Sequence, residues 1–398
     1  MSERFSLEIL FTIFTHLPVK SLMRFRCVSK SCCSLIDSPE FTNAHPDLNN
    51  NRKLILGDWH LEGWIYLIDL DASPLISPLN IERLRKPSVE TPDNFIPINP
   101  DGVFGSCNGV VAMYNKQGIS LWNPSTNMFK SFPLWIVDIV FDGFGYDSVS
   151  GDYKVIMLTK LFSEDFLRVM IYSVKNNSLR RIDDLHSPVP YAYDYEISGV
   201  LVGFVLHWVA HPRGVVSAYH NFILAFDLRD ETFHQVPQPR DMIDVENKVF
   251  DVVSELGGCL SISYRYQGRV DIWIMKEYGI EDSWTKLVSL HSRENFSLFY
   301  RLKPLCYSKE GDKVLLDYNK GTVLILYDLK DQSVDGLHMS KASERKEKTY
   351  CVCKCGFICA TTPAFPIVNG GSSKKMPRKK NIKSNCKRKA RKRKTNIR

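Results

Sequence analysis

The feature that most narrows the fold is a recurrence. Tyr66, Trp122, Tyr172, Phe226, Trp273 and Tyr327 each sit in a short apolar run. They return about every 50 residues, a kelch-like period. Four copies are clear: Ser120 to Phe129, Met170 to Leu179, Leu224 to Phe233 and Ile325 to Val334. Each reads as an apolar strand, a polar turn and a second strand. Asp271 to Trp284 is a looser copy, and Tyr66 to Asp71 a frayed first one. A unit of this length accommodates four antiparallel strands. It cannot bury both of its faces alone, so such units pack side by side around an axis, as in a propeller. A β-sandwich with accidental echoes is the alternative.

Residues 5–45 break the pattern. Ile9, Leu10, Ile13, Phe14 and Leu17 follow helical spacing. Ser6 is placed to cap this helix, with Phe5 and Leu10 as a hydrophobic staple. Pro18 ends it. A second helix carries Leu22, Phe25 and Val28, with Lys20, Arg24 and Arg26 between them. Ser29 is placed to cap a third helix through Cys32, Leu35 and Ile36, and Ser38-Pro39 a last short turn. So small a unit buries little surface, which leaves apolar side chains for a partner to cover. A helical cap on the β-body is the competing reading. The expected organisation is 1–45 helical, 46–53 linker, 54–365 β-body and 366–398 tail. Residues 80–100, rich in Pro and charge, read as a long exposed loop.

Charge is unevenly spread over the 398 residues. The chain carries +8 overall, yet residues 374–398 alone hold 14 Lys or Arg and no Asp or Glu. The body is therefore mildly acidic, and the tail is disordered by composition. Lys387, Arg388, Lys389, Arg391, Lys392, Arg393 and Lys394 form a nuclear-import type cluster. No aromatic residue is interleaved to stack on bases, so nucleic acid is a secondary reading. No run approaches a membrane span; Gly199 to Val209 is short and contains His207 and Trp208. The N-terminus lacks signal-peptide character, since Glu8 interrupts its apolar stretch. The expected location is nucleus and cytoplasm, with the 11 cysteines as thiols.

Residues 17–36, LPVKSLMRFRCVSKSCCSLI, resemble the F-box of plant F-box proteins. Leu17 to Leu22, Arg24 to Lys30, Leu35-Ile36, Phe41 and His45 match in order and spacing. Two departures are evident. Phe5-Ser6 replaces an opening leucine-proline, and Cys32 stands where a tryptophan is usual. The β-body resembles the F-box-associated domain through Gly105 to Gly109, Leu121 to Thr126, Phe144 to Asp147 with Asp152 to Val155, and Phe226 to Leu228. The resemblance spans residue 5 to about 340. It implies an α+β chain: a three-helix F-box, an all-β propeller-like domain of about six blades and a basic tail.

Nothing in the sequence supplies catalysis. There is no G-x-S-x-G, H-E-x-x-H or G-x-x-x-x-G-K-[ST] motif. His207, His211 and His220 are the nearest approach to a histidine group, and they read as a strand end and loop. Cys351, Cys353, Cys355 and Cys359 lack finger or ribbon spacing. They read as a closing strand rather than a metal site, so no cofactor is expected.

The resemblance implies a non-catalytic substrate receptor of an SCF-type cullin–RING ubiquitin ligase. A Skp-type adaptor would dock through Leu10, Ile13, Leu17, Pro18, Leu22, Phe25 and Val28. The β-domain would hold an unknown target protein. A degenerate F-box acting outside a ligase, and a nucleic-acid binder acting through its tail, are the alternatives.

Overall fold

The computed structural model describes residues 6–17, 19–36, 38, 41, 44, 52–58, 64–70, 81–85, 102–115, 118–124, 128–134, 139–160, 166–182, 184–185, 198–210, 221–240, 249–266, 268–291, 302–318, 323–339, 356–360 and 374–375. Three helices come first: α1 (Leu7–Thr15), α2 (Val19–Phe25) and α3 (Lys30–Ile36). Among the described residues, the regular elements after them are strands, apart from a 3₁₀ turn at Glu281–Ser283 and single helical residues.

The strands fall into six sheets among the described residues. The first holds β1 (Arg52–Asp58), β2 (Trp64–Asp69) and β3 (Ile81–Arg85). The second holds β4 (Gly102–Cys107), β5 (Val110–Asn115), β6 (Gly118–Asn123) and β7 (Met128–Pro133). Next come β8 (Ile139–Asp147), β9 (Asp152–Thr159), β10 (Arg168–Ser173) and β11 (Ser178–Arg181). The fourth sheet is β12 (Val200–Val202), β13 (Val205–Ala210), β14 (Phe222–Asp227) and β15 (Phe233–Val236). The fifth is β16 (Val249–Leu256), β17 (Cys259–Tyr266), β18 (Arg269–Met275) and β19 (Trp284–His291). The sixth is β20 (Leu302–Tyr307), β21 (Lys313–Tyr318), β22 (Val323–Asp328) and β23 (Ser333–Met339). Within each sheet sequential strands are antiparallel neighbours. Two late strands return to early sheets. β24 (Gly356–Ala360) pairs with β1, giving the first sheet its fourth strand, and β25 (Lys374–Lys375) pairs with the edge of β7.

The recurring aromatics occupy equivalent places. Tyr66, Trp122, Tyr172, Phe226, Trp273 and Tyr327 lie in β2, β6, β10, β14, β18 and β22, the third strand of each sheet in hydrogen-bonded order. The last five are buried. The Asn-Gly turn expected before Val110 is also present: Asn108 and Gly109 both adopt positive φ, 47° and 72°, the geometry of a tight hairpin turn. One expectation needs correction. The stretch read as a long loop over 80–100 contains β3, hydrogen-bonded to β2 from Ile68↔Ile81 to Trp64↔Arg85. Its sequence, IERLR, is charge-rich because it is an edge strand, where charge guards the unpaired side.

The core lies between sheets. Phe104, Ala112 and Phe132 of the second sheet pack with Phe144, Val155 and Tyr172 of the third. Phe141, Ile156 and Ile171 of the third meet Leu206, Trp208 and Phe226 of the fourth. Val202 and Ile223 share a cluster with Ile262 and Trp273 of the fifth. Val270 and Ile272 pack with Val314 and Tyr327 of the sixth. Leu305, Leu315 and Leu324 meet Leu54 and Leu70 beside the first sheet, and Ile55 meets Val111 and Trp122 of the second.

A buried cation ties the third and fourth sheets together. Lys154, buried in β9, donates to the Leu228 carbonyl at 2.7 Å. It also pairs with Asp147 at 2.9 Å and Glu231 at 2.8 Å. Arg180 binds the same Glu231 oxygen. Glu231 adopts positive φ, 61°, a conformation uncommon for a non-glycine residue. Burial alone would lower the Lys154 ammonium, yet its bonds to Glu231 and Asp147 hold it raised. Burial likewise opposes ionisation of both carboxylates. Ser150 and Lys154 still hold Asp147 below its ordinary 3.8, and Arg180 and Lys154 hold Glu231 below 4.5.

Lys154→Met would leave Asp147 and Glu231 without their shared cation. The expected cost is about 3 kcal/mol, read as a lower urea midpoint at unchanged slope. The two depressed carboxylates stabilise the fold above their ordinary values of 3.8 and 4.5, and that stability is lost as pH falls through their lowered values. Acid titration followed by circular dichroism is expected to show a shallower loss in the Lys154→Met chain than in the parent.

Candidate protein-docking surface

The front module has three helices, and serines cap α1, α3 and the turn at Phe41. The Ile9 amide donates to Ser6 Oγ at 3.3 Å, and the Cys32 amide to Ser29 Oγ at 3.1 Å. Ser38 Oγ accepts from the Phe41 amide at 3.2 Å and donates to the Leu35 carbonyl at 2.9 Å. The expected caps at Ser6, Ser29 and Ser38 are therefore present. Phe5, the staple residue, lies outside the described residues.

A miniature core holds the helices together: Phe14, Leu22, Cys32, Ile36 and Phe41, flanked by Leu10, Phe11, Leu17 and Leu35. Phe11 meets Phe41 edge-on at 5.5 Å, and Phe14 meets Phe25 at 5.0 Å. Cys32, where the family usually has a tryptophan, is buried in this cluster. The departure thus changes the module's own packing.

The geometry sorts the residues assigned from sequence to the docking surface. Leu22 is fully buried, and Leu10 and Leu17 are half-buried against the core. Ile13, Phe25 and Val28 point outward, 45%, 40% and 70% exposed. Pro18 lies outside the described residues. Sequence reasoning passed over Leu7 and left Ile9 in the inward stripe, yet both are about half exposed. The signal was available. Six of the nine residues of α1, LEILFTIFT, are large and apolar. A helix apolar on more than one face needs cover on more than one side.

The surface has a sign and a groove. Residues 17–36 contain Lys20, Arg24, Arg26 and Lys30 and no Asp or Glu. Arg24 and Lys30 are exposed. Leu7, Phe11, Lys30, Ser31, Ser34, Leu35 and Ser38 line a groove of about 580 Å³ between α1 and α3. Arg26 reaches back to the β-body, its Nη1 lying 3.8 Å from Met128 Sδ on β7. Such a surface, apolar at its centre with a basic fringe, suits a protein partner with apolar pockets and acidic flanks.

The remaining sequence candidates are not assembled into a site among the described residues. His207 is buried, with Nε2 2.7 Å from the Tyr278 hydroxyl and Nδ1 3.2 Å from the Val200 carbonyl. Burial holds it down at about 4, so the imidazole is neutral and structural. His211 and His220, the tail cluster from Lys387 to Lys394, and Cys351, Cys353 and Cys355 lie outside the described residues. Cys359 falls within β24, its backbone opposite Lys53.

Comparison with known proteins agrees with this layout. The F-box domain model matches residues 3–43, and the F-box associated beta propeller domain model matches residues 65–358. F-box protein CPR1 of Arabidopsis thaliana is 34% identical over 363 residues, 84% of this chain and 84% of that protein. F-box protein At4g22390 of the same plant is 30% identical, covering 82% of this chain and 84% of its own length. F-box/kelch-repeat protein At3g23880, also from Arabidopsis thaliana, is 29% identical over 80% of this chain and 86% of its own. The chain therefore belongs to the plant F-box proteins that carry an F-box associated β-propeller domain.

Proposed function

We propose that the chain is a non-catalytic substrate receptor of an SCF-type ubiquitin ligase. The observation that carries this reading is the outward set Leu7, Ile9, Ile13, Phe25 and Val28 on a three-helix F-box joined to a large β-body. A Skp-type adaptor is the partner that an F-box implies, and it would cover these side chains and link the chain to a cullin–RING scaffold. Docking would be driven by burial of this apolar area, at roughly 25 cal/mol per Å² before the costs of association.

The β-body is read as a propeller-like ring of about six sheets. Two features support this: neighbouring sheets share clusters all along the chain, and β24 completes the first sheet beside β1. In such a ring the antiparallel order would put the first strand's start and the last strand's end of each sheet, and so the ends of the long connections between sheets, on one side. The opposite side carries tight turns such as 108–109 and 203–204. Long connections on a rigid scaffold are where recognition residues are usually placed, so the target is assigned to that side.

The mechanism is proximity. A target lysine held near a charged conjugating enzyme experiences a raised effective concentration, with no bond made or broken by this chain. The basic cluster Lys387 to Lys394 is assigned to nuclear import, giving a nuclear and cytoplasmic protein.

Pull-down with a Skp-type adaptor tests the first part. Ile13→Ala, Phe25→Ala and Val28→Ala are each expected to weaken binding about tenfold while keeping the helical signal. Leu22→Ala is expected to cost about 3 kcal/mol in stability of the module instead. An adaptor that ignores the intact chain would sink the ligase reading. For the tail, a fluorescent fusion truncated after residue 373 is expected to lose nuclear accumulation, and equal distribution with and without the tail would refute the import role.

A further inference from the structure

Among the described residues, a carboxylic acid of the β-body has neither oxygen hydrogen-bonded. Asp142, on β8, is fully buried, and neither carboxylate oxygen has a hydrogen-bond partner. Its backbone is otherwise engaged: the carbonyl accepts from Trp208 Nε1 at 2.7 Å and from the Gly199 amide at 2.6 Å. A buried carboxylate with no donor and no cation is among the costliest groups a fold can carry. The same group as a neutral acid costs far less.

The surroundings favour the neutral acid. Ser198 lies beside Asp142 in an isolated parallel bridge. Its hydroxyl proton is committed to the Val103 carbonyl at 2.6 Å. The lone pairs left on Ser198 Oγ can accept the proton of a neutral acid.

The titratable groups on neighbouring strands are committed elsewhere. Lys154 on β9 serves Asp147 and Glu231, and Asp152 at its start accepts from Ser173 and Lys175. His207 on β13 is bound to Val200 and Tyr278. On β4, the half-buried Cys107 thiol is pushed up to about 12 by desolvation and stays neutral.

We propose that Asp142 is a proton-holding group at the junction of β4, β8 and β12, protonated in the folded chain, and that its ionisation loosens this junction. Three sheets meet there, through Val103 of the second, Asp142 of the third and the Ser198-Gly199 segment leading into β12 of the fourth. Burial pushes the Asp142 carboxyl up to about 8, against a weaker downward pull from Ser198. A group raised in the folded state stabilises fully below its unfolded value and loses that contribution as pH rises through the folded one. The loss therefore spans the interval from 3.8 to about 8, and stability is flat above it. The β-body would thus weaken as its surroundings turn alkaline, by a device set inside the fold.

The test compares urea midpoints of the full chain and Asp142→Asn at about pH 5, 7 and 9. The amide is a neutral isostere. The parent midpoint is expected to fall relative to the variant up to about pH 8 and then run parallel to it. Parallel curves throughout would overturn the proposal. Infrared difference spectra of the parent between about pH 6 and 9 give a second readout, valid even if the variant does not fold. A carboxylic-acid carbonyl band lost on alkalinisation supports the assignment, and the absence of such a band at the lower pH refutes it.

Discussion

The β-body depends on the sharing of side chains between neighbouring sheets. A four-stranded antiparallel sheet has two faces and cannot cover either by itself. In this chain the cover is reciprocal. Trp208 and Leu206 of one sheet close over Phe141 and Ile156 of another, and Trp273 and Ile262 of the fifth close over Val202 and Ile223 of the fourth. The apolar clusters therefore belong to interfaces, and a single sheet has no stability of its own to speak of. Polar groups that enter these interfaces must be matched. Lys154 is, by two carboxylates and a carbonyl, while Asp142 is not, and that contrast separates a tie from a titratable weak point.

The front module follows the opposite logic. Among the described residues its core is five buried side chains with four flanking ones, and its helices keep apolar side chains on the outside. A body whose sheets cover one another is joined to a module that leaves apolar surface uncovered. The proposed function follows this division, with docking assigned to the module and recruitment to the body.

Much of this was legible before any coordinates. The 50-residue recurrence marked the third strand of every sheet, and the aromatics from Trp122 to Tyr327 are buried there between sheets. The caps at Ser6, Ser29 and Ser38 were readable because hydroxyls before apolar runs satisfy free helix amides. β3 was missed, since an edge strand carries charge and lacks the apolar signature of an interior one. The docking residues were only half separable. Helical spacing groups Leu22 with Phe25 and Val28, but whether a side chain faces its own core or a partner depends on how three helices cross, which spacing does not encode. Asp142 gave no signal at all; its isolation arises from Ser198 and Val103, both far from it in sequence.

The pairing of β24 with β1 has a consequence in time. Residues 52–58 are made early by the ribosome, and residues 356–360 near the end. Until those last residues emerge, β1 presents an unpaired edge, and the clusters around Leu54 and Ile55 lack the strand beside them. Pairing of this kind is non-local, slow to form and open to wrong partners while it waits. A chain interrupted before residue 356 would therefore leave more than its terminus unfinished: its first sheet would remain open, with the capacity to pair with another chain's edge.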